Sequence, residues 1–111
     1  MGPGLLIELQ MDHFESVRKD EGLETVWSIY TVGTYIITNL YNIAEDYQDA
    51  KEIVYNGVVT PIQLIEWPSI RWIDLWRAAD KAIVQSGDQH HMFIEWFKPL
   101  GNGQYELVTG S

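Results

Sequence analysis

The stretch SIRWIDLWRAADKAIVQSGDQHHMFIEWF, Ser69 to Phe97, decides the fold class, because the spacing of its apolar residues changes within it. Up to Ser86, Trp72, Trp76, Ala79 and Ile83 recur at helical spacing, flanked by Ile73, Leu75, Ala82 and Val84. Arg71, Asp74, Ala78, Lys81 and Gln85 fall on the other side and are expected to face water. Ser69 after Pro68 is placed to cap the helix and Gly87 to end it. One carboxylate, Asp80, lies inside the apolar arc. From His90 onward the period is two, as in a strand.

The strand geometry limits what its histidines can do. His90 shares a face with Met92, Ile94 and Trp96, and His91 with Phe93, Glu95 and Phe97, so the two imidazoles diverge. His91 and Glu95 are about 13 Å apart along a strand, too far to share one metal. No metal site is expected. Glu95 is the odd residue, a carboxylate between two phenylalanines whose desolvation has to be offset by a partner. If the helix folds back on the strand that follows it, Asp80, His91 and Glu95 converge, and such a group can perform acid–base chemistry. The alternative is structural: Asp80 paired with Arg77, and Glu95 with a cross-strand hydroxyl or base.

Outward from this stretch, KPLGNG and QYELVT complete a C-terminal hairpin. LLIEL (Leu5–Leu9) reads as a strand, and Asp12 with Glu15 as the start of a short helix to Lys19, ended by Gly22. ETVWSIYTV and TYIITNL, on either side of Gly33, are dominated by β-branched and aromatic residues and read as two strands joined at a tight bend or as one long strand with a bulge. Asn42 and Glu45 have helix-start spacing, and Ile43, Tyr47, Ala50 and Val54 follow on one stripe, predicting a third helix up to Asn56. Asn56-Gly57 is equally a hairpin turn between EIVY and VVTP; the helix is preferred. VVTPIQLIEW is then a strand, with Pro61 at an edge. The expectation is one α+β domain over residues 1–111, a largely antiparallel sheet of five or six strands with two or three helices packed on one face.

The totals narrow the function. The chain has 111 residues, 46% of them hydrophobic, enough for one core and with no run long enough to span a membrane. It has no cysteine, which excludes disulfides and thiolate chemistry. The start MGPGLLIELQ lacks a secretory signal, so the cytoplasm is the expected location. A net charge of −9 repels nucleic acid and anionic lipid, although it would suit an acidic mimic of nucleic acid. No nucleotide-binding, nucleophile-elbow or zinc motif occurs, and no cofactor is expected.

Five tryptophans are many for this length. Trp72 and Trp76 suit a core, whereas Trp67, with Arg71 and Trp96, is placed to line a small-molecule cleft or a subunit interface. A sheet with apolar residues on both faces is hard for so small a domain to cover, which favours a homodimer. The residues WIDLWRAADKAI, SGDQHHMFIE and YELVTGS resemble the C-terminal half of small orphan α+β proteins encoded in bacterial integron gene cassettes, over about residues 66 to 111. The resemblance implies a single-domain, often oligomeric protein of a mobile element and carries over no site residue. The leading expectation is a binding or interaction module that self-associates through aromatic surface. The second is a metal-independent acid–base enzyme (hydrolase, lyase or isomerase) using Asp80, His91 and Glu95, and the third is the acidic mimic.

Overall fold

The computed structural model describes residues 3–29, 34–64, 68–88, 90 and 92–110, and the side chains of these except at 3–6 and 35. The first element is a helix, α1 (Pro3–Glu21), where the sequence predicts a strand and then a short helix. LLIEL viewed alone is a short apolar run, which periodicity cannot assign. The deciding contacts lie further on: Phe14 and Val17, three residues apart, are buried, and Gln10 on the same side donates to Thr34 O (2.7 Å) and Ile37 O (2.9 Å). Gly22, at φ 67°, ends the helix as predicted, with Leu23 N–H bonded back to Arg18 O at 3.0 Å.

β1 is only Val26–Trp27, and Thr34–Ile36 is a single 3-10 turn. Of the strand predicted over residues 24–32, Glu24, Thr25, Ser28 and Ile29 are not in a strand and residues 30–32 lie outside the described residues; the strand predicted over TYIITNL is replaced by the 3-10 turn. The predicted third helix is corrected to one 3-10 turn, Glu45–Tyr47, followed by a hairpin of β2 (Glu52–Tyr55) and β3 (Val58–Pro61). Asn56 and Gly57 have φ of 47° and 78°, the left-handed pair that a two-residue hairpin turn requires. Ile53 and Tyr55 are buried and their neighbours less so, so period two prevails over the helical stripe.

α2 (Trp72–Ser86) is the predicted helix, ended by Gly87 at φ 74°. Its cap is Arg71 rather than Ser69, and Asp74 Oδ2 accepts the Arg71 backbone N–H at 2.8 Å. Its buried arc is wider than the sequence stripe and takes in Arg71, Asp74 and Ala78, which were expected to face water. Asp74 is buried because it is paired: its Oδ1 accepts from Arg77 at 3.2 Å, and Arg77 also bridges to Glu21 at the end of α1.

β4 (Phe93–Gly101) and β5 (Gln104–Gly110) form the predicted C-terminal hairpin. The sheet order is β1-β4-β5-β2-β3, with β1/β4 and β2/β5 parallel and β2/β3 and β4/β5 antiparallel. The α+β class holds, with two helices among the described residues, but the sheet is mixed rather than largely antiparallel. In the core, Trp27 lies against Phe14, Trp72, Trp76, Trp96 and Phe97, with the Phe97 ring centre at 5.5 Å.

Two tyrosines in this core carry a pH signature. Burial, reinforced for Tyr105 by the Asp49 carboxylate 2.8 Å from its hydroxyl, pushes Tyr47 and Tyr105 up to about 12. The unfolded chain releases these protons near pH 10, before the folded chain does. Alkali therefore favours unfolding: stability is full below about pH 10 and falls as pH rises to about 12. Ultraviolet titration of tyrosinate should show Tyr47 and Tyr105 ionising late, together with unfolding; complete tyrosinate formation near pH 10 with the fold intact would contradict it.

Candidate functional site

Asp80 occupies the apolar arc because it binds backbone. Its Oδ1 accepts from Thr25 N–H (2.8 Å), Thr25 Oγ1 (2.6 Å) and Glu24 N–H (3.0 Å). Thr25 Oγ1 in turn accepts from Trp76 Nε1 at 3.1 Å. The carboxylate thus ties α2 to the segment leading into β1.

Glu95 is the extra residue of a bulge, since Ile94 pairs with Thr109 and Trp96 with Val108. The bulge breaks strict alternation: Ile94 and Phe97, three residues apart, are both buried, whereas Phe93 is exposed. Glu95 therefore does not lie between two buried phenylalanines, and its side chain covers the backbone of Gly110 instead. Among the described residues, neither Asp80 nor Glu95 lines the groove beside Trp27 or the cleft beside Arg71. His91 lies outside the described residues, and His90 is exposed. Among the described residues no group of three or more His, Asp or Glu side chains could hold a metal ion.

Of the predicted ligand or interface residues, Trp67 lies outside the described residues. Trp96 is partly buried against Trp27, Tyr47, Trp72 and Phe97. Trp27, Trp72 and Trp76 are buried, so three of the five tryptophans fill the core rather than forming an aromatic surface. Arg71 is buried, with its guanidinium over the Tyr41 ring at 5.6 Å.

A groove of about 430 Å³ runs between α1 and β1. Phe14, Trp27 and Trp76 form its floor, and Met11 and Phe93 stand at its mouth, 45% and 43% exposed. Its polar groups are few. Arg18 is fully engaged, with Nε donating to Thr25 O, Nη1 to Glu15 and Nη2 to Glu24 O. Asp12 and Glu15 are exposed on the lining and make the entrance acidic. An apolar cleft with a few polar groups is the usual form of a small-molecule site. The sequence does not show this groove, because it exists only when residues 3–21 form one helix; exposed Phe93 in β4 is its local sign.

Compared with protein-family profiles, with curated proteins and with solved structures, the chain finds no match in any of the three. Among the described residues no helix is long and apolar enough to cross a membrane.

Proposed function

We propose that the protein is a binding module for a small, neutral, largely apolar molecule held in the groove between α1 and β1. The observation that carries this is the groove itself: an apolar floor of buried aromatic rings with a mouth of exposed Met11 and Phe93. Burying such side chains against a ligand is worth about 1.5–3 kcal/mol each, which is enough for useful affinity. Asp12 and Glu15 at the entrance, on a chain of net charge −9, disfavour an anion.

Nile red, a neutral apolar dye, serves as the probe. It should bind saturably, with a rise in its own fluorescence and quenching of tryptophan emission from Trp27 and Trp76. Met11→Asp and Phe93→Asp sit at exposed positions that the fold tolerates, and each should weaken binding about tenfold or more. Absence of saturable binding, or unchanged binding by both variants, refutes the proposal.

A second reading is favoured by Ile7 and Met11, exposed on one face of α1 in line with the groove: self-association of two copies through this face. Sedimentation equilibrium decides it, since a monomer at every concentration removes it.

A further inference from the structure

A second cleft, separate from the groove, lies where the loop before the Glu45–Tyr47 turn meets the start of α2. It measures about 540 Å³ and is lined by Tyr41, Asn42, Ile43, Glu45 and Arg71. Backbone bonds make it rigid: Ala44 N–H donates to Ile70 O (2.9 Å), Trp72 N–H to Asn42 O (3.2 Å) and Ile73 N–H to Leu40 O (2.9 Å). The first amides of α2 are thereby occupied, so the helix end itself offers no anion site. The guanidinium does. The Arg71 side chain is only 10% exposed, and among the described residues neither Nε nor Nη2 has a hydrogen-bond partner.

Asp74 is the nearest acid and serves this charge poorly. Its Oδ2 is 3.9 Å from Arg71 Nε, beyond hydrogen-bond length, and already accepts the Arg71 backbone N–H, while its Oδ1 accepts from Arg77. A buried cation with unmet donors is costly, and a bidentate carboxylate relieves that cost with matching geometry.

We propose that this cleft binds a small monocarboxylate with an apolar or aromatic body, the carboxylate on Arg71 and the body against Tyr41 and Ile43. Tyr41 and Ile43 are 39% and 44% exposed, which leaves an apolar wall beside the charge. Glu45 in the lining and the overall charge of −9 select against multiply charged anions such as phosphate. The specificity is therefore for one negative charge, held locally rather than attracted from a distance.

The test uses the full chain, with sodium benzoate as probe, benzamide as its neutral isostere and inorganic phosphate as the dianion. Nuclear magnetic resonance titration should show benzoate moving the Arg71 Nε–H and Tyr41 ring signals, with benzamide and phosphate each at least about tenfold weaker. Arg71→Gln should abolish these shifts. Because that change alters a buried charge, Ile43→Asp provides a second variant at an exposed position: it keeps the fold, adds a negative charge to the cleft, and should weaken benzoate about tenfold. Benzamide or phosphate binding as well as benzoate, no benzoate shift at about 20 mM, or unchanged affinity in Ile43→Asp would each overturn the assignment.

Discussion

Asp80→Ala is expected to destabilise the protein by about 3 kcal/mol, lowering its melting temperature by ~12 °C. One carboxylate oxygen receives three donors from residues 24 and 25, and Thr25 is fully buried. Removing the acceptor leaves the Thr25 amide and hydroxyl unmet in the interior, at about 1–3 kcal/mol per group. The hydroxyl also orients the acceptor for Trp76 Nε1, so the loss extends into the core. Asp80→Asn keeps an acceptor oxygen at the same place and should recover about half of the loss. Urea denaturation of the two variants checks this. A change within about 0.5 kcal/mol for Asp80→Ala would show that the carboxylate is not structural and would return it to consideration as a reactive group.

Trp27→Ala should cost more, about 4 kcal/mol, a large share of the stability of a domain of this size. Its ring is 1% exposed and is surrounded by the rings of Phe14, Trp72, Trp76, Trp96 and Phe97. The resulting void cannot close easily, because the residues around it come from both helices and from β4. Near-ultraviolet circular dichroism should lose most of its aromatic signal, and the denaturant midpoint should fall well below that of the parent. Trp27→Phe is the informative partner. The indole Nε1 is buried without an acceptor among the described residues, so phenylalanine removes an unmet donor while keeping most of the ring volume. It should retain more than half of the stability lost in Trp27→Ala. Equal losses for the two would mean that the indole N–H has a structural role.

These two residues differ in how much the sequence shows of them. Asp80 is conspicuous, a carboxylate in a helical apolar arc, and a buried partner follows from that alone. Arg77, three residues away, is the natural local choice, yet the partner found is backbone and hydroxyl 55 residues distant. Glu95 fails for another reason. Alternation assigns its face only while the ladder is regular, and a single bulge between Ile94 and Trp96 reverses the assignment of Phe97. Arg71 stands out in the sequence beside Trp67 and Trp96, but the feature that matters, donors without a partner among the described residues, depends on the loop at 41–45 that closes over it.

By itself the sequence determined the elements whose signals are local: α2 with its apolar stripe and Gly87 stop, the C-terminal hairpin, and a charge balance unfavourable to nucleic acid. Helical spacing and turn chemistry act within a few residues, so they are written in the order of the chain. Tertiary structure alone decided that Leu5–Leu9 is helical, that residues 52–61 pair as a hairpin, and that β5 lies between β4 and β2. A short apolar run does not itself separate helix from strand, and Ile7 and Leu9 stay exposed; what commits the segment is the surface that covers Phe14 and Val17 further along the same helix. For α1 that surface is the cluster around Trp27 and Trp76, which exists only after the sheet and α2 have closed on each other.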